Sequence, residues 1–453
     1  MKRLLCLLLT MLLLLALSAC SPASFLRITG DCEGLAVSDA FRASALLRAF
    51  PMEKLAALSK PRAKAFDLLL VGGDGMCAQI SGDDLEGCRL VHTSEFGWEF
   101  KSERHPPSAR VKNIVKIAVV SRSEDPRAAR FFSGGEAQTI TAGQLLLRGQ
   151  SILKKEGSSQ NNGKSATVYT TRQRLPLSEV CPAGNHFCAM GYNGETVRLR
   201  SAEQCWLESR GSQVDLILPD GQTAPDLAGI TANAPDFSIT ETAKDALHLL
   251  EQGERVLIIE LDGFGFAMLE RAGEAYAPYL SSLGARRAMA CYPPVSAVGL
   301  AAMLTGVTPD ENGIHSRSDR EMTRPDLFAN AAAKGKTCAY VEGRHAVINT
   351  SLAPVLSIHD ADTFENAKEA LAKQPDLLFV HFHGIDDAAH ANGPLAEPTL
   401  AAIQAVDGYV EALCGAFGGR VIITADHGLH ATKEGGSHGE FLEEDLVVPY
   451  IMQ

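Results

Sequence analysis

Acidic and histidine side chains follow several hydrophobic segments in the C-terminal half of this 453-residue chain. They are Asp262 after VLIIEL, Asp386 and His390 after LLFVHFHGI, Asp426 and His427 after VIITA, and His438 within GGSHGE. Carboxylate oxygens and imidazole nitrogens are ligands of Zn²⁺ and similar metals. A single acidic residue after a strand usually caps a turn, whereas six such side chains gathered at one place would form a metal centre.

Continuous apolar segments alternate with helical patterns through residues 246–453. Predicted strands cover 256–265, 337–343, 376–384 and 420–426, and predicted helices cover 324–336, 363–374 and 397–417. Because this alternation is typical of parallel strands covered on both faces, it predicts an α/β fold, with a mainly parallel sheet flanked by helices. Ligands of such sheets bind beyond the carboxyl ends of the strands, which is where the six side chains are expected.

The segment CYPPVSAVGLAAMLTGVTPDENGI, residues 291–314, lies between the first two acidic sites. Ser296 stands nine residues before Thr305-Gly306, and Pro309 and Gly313-Ile314 follow. This segment resembles the nucleophile segment of the alkaline phosphatase superfamily, in particular of type I phosphodiesterase/nucleotide pyrophosphatase proteins. The resemblance extends over residues 254–453, and the order of the acidic and histidine motifs is also that of the family.

The resemblance implies an alkaline-phosphatase-like catalytic domain with two divalent metal ions, either zinc or, as the alternative, manganese. One metal would be held by Asp262, Ser296, Asp426 and His427, and the other by Asp386, His390 and His438. Metal binding would activate the Ser296 hydroxyl, and two metals would stabilise opposite oxygens of an in-line displacement. The implied activity is a metal-dependent phosphoric ester hydrolase of the phosphodiesterase type, with a phosphoseryl intermediate on Ser296.

Gly299 and His383 are the candidate substrate contacts. Family diesterases usually carry Asn three residues after the nucleophile, and this chain has Gly299 there, so its backbone N–H would have to stabilise the phosphoryl oxygen. His381 and His383 share one face of a predicted strand. For His383, a hydrogen-bonded core histidine is favoured over a contact with the substrate or with a metal-binding residue.

Other activities of the superfamily remain as alternatives: a phosphomonoesterase, a phosphonate hydrolase or a phospho-group transferase. A sulfatase is less favoured, because Ser296 occupies the position of the modified cysteine and Val298 and Leu300 replace its Pro and Arg. A degenerate, non-catalytic surface binding protein is least favoured, since both sets of metal ligands are complete.

The N-terminus has a basic start, an apolar segment from Leu4 to Leu17, and the tetrad LSAC that ends at Cys20. This pattern resembles a bacterial lipoprotein signal, with a plain secretory signal as the alternative. It predicts a signal peptide in residues 1–19, lipidation of Cys20, and a location on the extracytoplasmic face of the cell membrane. A tether and a short helical segment are expected in residues 20–60.

Residues 61–235 read as a β-rich accessory region, with two hairpins centred on Asp74-Gly75 and Asn193-Gly194 that suggest two related modules. Nine cysteines follow Cys20, and one or two disulfides would suit an exported protein. The formal net charge is −12 without a basic stripe, which disfavours nucleic-acid binding through a basic face. The expected partners are a phosphate-ester substrate and the membrane. The sequence does not predict the oligomeric state.

Overall fold

The computed structural model describes residues 26–37, 49–133, 136–162, 164–181 and 183–453. The predicted signal peptide and Cys20 lie outside the described residues. No helix in these ranges combines the length and the apolar character needed to cross a bilayer. The nine cysteines between Cys32 and Cys414 are described, and all of them are free thiols.

Strands are numbered here in chain order. They are β1 Arg27–Gly30, β2 Leu35–Ala36, β3 Ala49–Pro51, β4 Phe66–Gly72, β5 Cys77–Ser81, β6 Arg89–Thr93, β7 Gly97–Lys101, β8 Ile114–Ser121, β9 Ala129–Ser133, β10 Glu136–Ile140, β11 Gln150–Asn161, β12 Lys164–Pro176, β13 Phe187–Gly191, β14 Thr196–Leu199, β15 Trp206–Arg210, β16 Gln213–Ile217, β17 Thr223–Ala224, β18 Leu227–Thr231, β19 Phe237–Ser238, β20 Val256–Leu261, β21 Arg286–Met289, β22 Cys338–Glu342, β23 Val355–Leu356, β24 Leu377–Phe382, β25 Arg420–Thr424, β26 His430–Ala431, β27 Gly436–Ser437 and β28 Val447–Met452.

The α-helices of the described residues are numbered in the same way. They are α1 Met52–Ser59, α2 Ala142–Arg148, α3 Glu241–Glu251, α4 Phe266–Tyr276, α5 Pro278–Ser282, α6 Ser296–Thr305, α7 Pro309–Asn312, α8 Leu327–Ala333, α9 Asp360–Ala372, α10 Gly384–Asn392, α11 Glu397–Ala416 and α12 Glu443–Leu446.

The chain forms two compact units. The first contains the described residues up to Ala129, then Ile140–Pro176 and Trp206–Ile217, and the second contains Arg130–Thr139, Leu177–Cys205 and Leu218–Gln453. Residues 61–235, predicted as a β-rich accessory region, contribute to both units. The reason is packing: Phe132 of β9 and Met190 of β13 belong to one core cluster with Phe441.

The first unit is rich in β-structure. One of its sheets has the strand order β2-β1-β8-β4-β5, and a smaller sheet has the order β3-β6-β7. The strand β1, within the predicted tether, pairs in parallel with β8, and its Ile28 is buried, so this part of 20–60 belongs to the sheet. Both predicted hairpins form, as β4–β5 in this unit and as β13–β14 in the second.

The second unit contains an eight-stranded sheet of order β19-β21-β28-β25-β20-β24-β22-β23. The central strands β20, β24 and β25 run parallel, whereas β28 is antiparallel to β25 and β21. Every residue of β20 and β24 is buried, and helices such as α3 and α9 pack on the sheet. The predicted mainly parallel sheet flanked by helices is confirmed, with β28 as its antiparallel member.

Candidate active site

The candidate residues lie where the central strands end. Asp262 directly follows β20, and Asp426 and His427 come after β25. The helix α10 begins just beyond β24 and carries Asp386 and His390 four residues apart, so both side chains lie on one face. Parallel strands bring these carboxyl ends to one edge of the sheet.

Ser296 is the first residue of α6 and lies within the first cluster of acidic and histidine side chains. Its hydroxyl oxygen lies 3.2 Å from Nε2 of His427 and 3.4 Å from Oδ1 of Asp262. The same Nε2 is 3.3 Å from Oδ2 of Asp426. The four side chains predicted to hold the first metal therefore converge on one point, and Asp262, Asp426 and His427 have the spacing of a metal-ligand group.

Asp386 lies near His390 and His438, and these three residues, which were predicted to hold the second metal, are called the second cluster. The Nε2 atom of His390 lies 3.5 Å from Oδ2 of Asp386, and Nε2 of His438 lies 3.9 Å from Oδ1. The two clusters adjoin, because the rings of His427 and His438 stack with centroids 3.8 Å apart. Asp386, His427 and His438 also have the spacing of a metal-ligand group.

The histidines of both clusters, His390, His427 and His438, are each oriented by a hydrogen bond from the ring nitrogen that points away from the clusters. Nδ1 of His427 lies 3.0 Å from the Gly428 carbonyl oxygen, Nδ1 of His390 lies 3.0 Å from that of Gly436, and Nδ1 of His438 lies 2.9 Å from that of Pro294. Because a carbonyl only accepts, each Nδ1 must donate a proton, and Nε2 is the ring nitrogen left for a metal. Metal-binding histidines are oriented in this way.

Buried oxygen atoms in the clusters also fit a cation. Oδ2 of Asp426 and Oδ1 of Asp386 are buried, and neither has a hydrogen-bond partner among the described residues. Burial and the charge of Asp262 raise the pKa of Asp386 to about 8 and that of Asp426 to about 6. Burial lowers the pKa of His438 to about 2, which keeps this ring neutral and able to coordinate. A divalent cation would provide the positive charge that these carboxylates need in order to ionise.

The structure corrects the expected role of Gly299. Its backbone N–H donates to the Val295 carbonyl at 3.0 Å within the first turn of α6, so it is not available to a substrate oxygen. A Cβ atom at this position would lie 2.5 Å from the Asp426 carbonyl oxygen. The glycine is therefore required by close packing between α6 and the end of β25.

His383 is hydrogen-bonded to a buried carboxylate, which agrees with the favoured prediction of a hydrogen-bonded core histidine. Its Nδ1 lies 3.0 Å from Oδ2 of Asp262, and its Nε2 lies 2.5 Å from Oε1 of Glu342. Both ring nitrogens thus face buried carboxylates. Burial alone would raise the pKa of Asp262, but the imidazoles of His381 and His383 hold it well below its ordinary value.

Sequence reasoning missed two acidic residues near the site. Glu260 is the fifth residue of β20 and Glu342 is the last of β22, and both are fully buried. The signal was present, because each is a charged residue within an otherwise apolar strand, and such residues are rarely fully buried unless paired.

Comparison with known families places the C-terminal part of the chain. Residues 256–334 and 340–449 match the family model for type I phosphodiesterase / nucleotide pyrophosphatase, which covers less than half of the chain. This region is therefore similar to type I phosphodiesterase/nucleotide pyrophosphatase domains.

Individual relatives match over limited parts of their length. GPI ethanolamine phosphate transferase 1 of Neurospora crassa is 29% identical over 181 residues, which are 36% of this chain and 18% of that protein. A solved 2-O GAG sulfatase has a TM-score of 0.35 and 16% identity, over 44% of this chain and 64% of that one. Murine ectonucleotide pyrophosphatase/phosphodiesterase 5 has a TM-score of 0.34 and 16% identity, over 40% of this chain and 59% of that one. This chain therefore spans less than two thirds of each.

Proposed function

We propose that the protein is a two-metal phosphoesterase of the phosphodiesterase type, located outside the cytoplasmic membrane. The observation that carries this proposal is the convergence of Ser296 with His427 and the buried carboxylates of Asp262 and Asp426, beside the second cluster. The family match of residues 256–334 and 340–449 supports the same reaction class.

Asp262, Ser296, Asp426 and His427 would hold one divalent ion, and the three side chains of the second cluster would hold the other. Mixed nitrogen and oxygen ligands suit zinc, with manganese as the alternative. When bound, the ions supply Lewis-acid stabilisation of phosphate oxygens and lower the pKa of the serine hydroxyl.

The chain itself positions the nucleophile. The Ser296 Oγ atom attacks phosphorus while the bond from phosphorus to the leaving alkoxide breaks, and the product is a phosphoseryl ester. Because Ser296 is the first residue of α6, the positive end of the helix dipole lies beside the phosphoryl group and favours its negative charge. The proton of the serine hydroxyl leaves with the alkoxide as an alcohol. Water then attacks the phosphoseryl ester, the bond from phosphorus to Ser296 Oγ breaks, and the phosphodiester substrate is released as a phosphomonoester while a proton from water restores the hydroxyl.

Arg317 provides a further cation beside this site. One of its guanidinium nitrogens donates to the His438 carbonyl at 3.2 Å, and the residue is exposed to solvent. We propose that Arg317 binds a non-transferred part of an anionic substrate.

A phospho-group transferase is the second candidate. It is favoured by the relative from Neurospora crassa, whose name is that of an ethanolamine phosphate transferase. The first half of the reaction would be the same, but an alcohol instead of water would accept the phosphoryl group from Ser296.

The membrane location of the proposal is supported by sequence alone, through the segment before Cys20 and the cysteine itself. Labelled palmitate should be incorporated into the wild-type chain in a bacterial host and not into a Cys20→Ala variant. Incorporation into both chains, or into neither, would remove the lipid anchor from the proposal.

The activity is tested with the zinc-loaded full chain and with nitrophenyl esters of a phosphodiester, a phosphomonoester and a sulfate. We expect fastest turnover of the diester, and Ser296→Ala should lower it on the order of 10³-fold or more, as loss of a nucleophile does. Ser282→Ala is the matched control. Ser282 is exposed, and its hydroxyl donates a hydrogen bond to the Tyr279 carbonyl oxygen. Equal turnover by Ser296→Ala and the wild type would show that Ser296 is not the nucleophile.

The two candidate functions are separated by adding a primary alcohol during turnover. A hydrolase transfers the phosphoryl group to water, so it forms mainly a phosphomonoester from the diester or inorganic phosphate from the monoester. A transferase forms the phosphorylated alcohol instead. The product ratio, measured by phosphorus NMR, decides between them.

A further inference from the structure

A second group of buried ionisable side chains lies on the far side of Asp262 from Ser296. Oδ1 of Asp262 faces the serine, whereas Oδ2 faces His381 and His383. Glu260 and His381 are register partners on the neighbouring strands β20 and β24. Glu342, at the end of β22, completes the group.

Four atoms of this group lie close together around Nε2 of His381 and Oδ2 of Asp262. Nε2 of His381 lies 3.5 Å from Oδ2 of Asp262 and 3.5 Å from Oε1 of Glu260. Nδ1 of His383 lies 3.0 Å from the same Asp262 oxygen. Ligands around a tetrahedral zinc ion with bonds of about 2.0–2.1 Å are separated by about 3.3 Å. Asp262, His381 and His383 have the mutual spacing of a metal-ligand group.

Glu260 gives an independent reason to expect a cation. It is fully buried, and neither of its carboxylate oxygens has a hydrogen-bond partner among the described residues. A buried carboxylate without a partner is very unfavourable, and such groups are normally paired or coordinate a metal. Its Oε1 atom is directed toward the imidazole of His381 at the distance given above.

Glu342 has the position of an outer carboxylate that orients metal-binding histidines. Its Oε1 atom lies 2.8 Å from Nδ1 of His381 and 2.5 Å from Nε2 of His383. These are the nitrogens that do not face Asp262. The contact with His383 is a hydrogen bond, and carboxylates that accept from the second nitrogen of a histidine ligand are the usual outer partners of metal sites.

We propose that Asp262, Glu260, His381 and His383 bind an additional divalent metal ion of the zinc class, with Glu342 as the carboxylate that contacts the outer nitrogen of both histidines. This site is separate from the two beside Ser296, apart from Asp262, which would contribute one oxygen to each side. The ion compensates the buried charge of Glu260 and holds Oδ2 of Asp262, so that Oδ1 stays directed at Ser296.

The competing arrangement contains no metal. Two protonated imidazoles would then balance the buried carboxylates, and the same short contacts would be hydrogen-bonded ion pairs. The two arrangements differ in metal content and in electron density, and neither measurement depends on enzymatic activity.

The first test is the metal content of the full chain after loading with zinc and gel filtration, measured by mass spectrometry. We expect three equivalents for the wild type and two for Glu260→Gln, a variant that keeps the side-chain volume and removes the charge. Glu254→Gln is the control, since Glu254 is exposed just before the same strand, and it should retain three. Equal zinc contents of Glu260→Gln and the wild type would overturn the proposal.

The second test does not require a variant to fold. An anomalous difference map at the zinc edge, from crystals of the wild-type protein, should show a peak among Asp262, Glu260, His381 and His383. A map without this peak would overturn the proposal in favour of protonated histidines.

Failure of this proposal is distinguishable from failure of the proposed function. The double variant Asp386→Asn, His390→Gln removes ligands of the second predicted active-site metal and leaves the additional site intact. If its zinc content equals that of the wild type while Glu260→Gln loses one equivalent, the additional site stands and the two-metal active site fails. If the double variant loses one equivalent and Glu260→Gln loses none, the additional site fails alone.

Discussion

Gly299 packs directly against Asp426, with no space for a side chain between them. A Cβ atom at position 299 would lie 2.5 Å from the Asp426 carbonyl oxygen and 2.6 Å from its Cβ. The contact lets the first turn of α6 approach the end of β25 closely enough for Ser296 to share the first cluster with Asp426. The glycine that departs from the family pattern is therefore explained by the packing of this site.

Gly299→Ala should damage the active site. The added methyl group must displace either α6 or Asp426, and such overpacking typically costs about 1–3 kcal/mol. We expect weaker zinc binding and lower diesterase turnover, because Asp426 and Ser296 would move apart. Zinc titration and kinetics of the purified variant measure both effects.

Gly408→Ala is the matched control for this change. Gly408 lies within α11, and a Cβ atom there would meet no atom within 4 Å. Alanine favours a helix over glycine by about 0.8–1.0 kcal/mol, so this variant should be as stable as the wild type or more stable. If Gly299→Ala behaves like Gly408→Ala, the proposed close packing is wrong.

Zinc binding at the second cluster should depend on pH. Burial raises the pKa of Asp386 to about 8, so this carboxyl group is protonated in the metal-free protein at neutral pH. It must lose its proton before it can coordinate a metal, and the apparent affinity should therefore rise as pH increases from 6 to 8. Calorimetry in buffers of different ionisation enthalpy should detect proton release upon zinc binding. An affinity that is constant over this range would contradict the prediction.

The stability of the metal-free protein should have the opposite pH dependence. In the unfolded chain Asp386 has an ordinary pKa near 3.8, and in the folded chain the pKa is about 8. Between these values the folded state binds more protons, so the free energy of unfolding decreases as pH rises from about 4 to about 8. The raised pKa of Asp426, about 6, acts in the same direction. Thermal unfolding of the chelated protein should show this decrease, and zinc added at pH 8 should reverse it.

Asp386→Asn provides the control for this pH effect, because asparagine cannot ionise. The chelated variant should lose less stability between pH 5 and pH 8 than the wild type, and zinc should stabilise it less. A variant with the pH profile of the wild type would show that Asp386 is not the responsible group.

Asp31→Asn should destabilise the first unit. Oδ2 of Asp31 accepts from the Ser121 backbone N–H at 2.7 Å and from the Thr141 hydroxyl at 2.6 Å, and Oδ1 accepts from the Gly143 N–H at 2.8 Å. Asparagine replaces one acceptor oxygen by an N–H₂ group that faces donors, at a cost of about 1–3 kcal/mol. Asp74→Asn is the control. Asp74 lies in an exposed turn, where its carboxylate accepts a hydrogen bond from the Met76 backbone N–H. This variant should change the free energy of unfolding by less than about 0.5 kcal/mol.

Tryptophan fluorescence can follow this unit within the full chain. The two tryptophans of the sequence, Trp98 and Trp206, both belong to the first unit. The urea midpoint of the fluorescence change should decrease for Asp31→Asn and stay constant for Asp74→Asn. Equal midpoints for Asp31→Asn and the wild type would show that these three bonds contribute little.

The sequence alone determined the C-terminal sheet and most of its site. Apolar strands such as 420–424, each followed by Asp or His, predict both the parallel arrangement and the edge where the ligands meet. This works because the carboxyl ends of parallel strands share one edge, so that local sequence order already implies spatial proximity. Ser296 could be placed by its distance from Thr305-Gly306, since its segment resembles a family pattern.

Only the tertiary structure decided the roles that depend on contacts between distant segments. The N–H of Gly299 is bonded within its helix, and its missing side chain leaves room for Asp426, 127 positions later in the chain. Glu260, His381 and Glu342 lie on different strands, and their cluster appears only when register and strand order are known. Spacing along one strand contains no information about which charged residue lies opposite on its neighbour, so tertiary packing had to supply it.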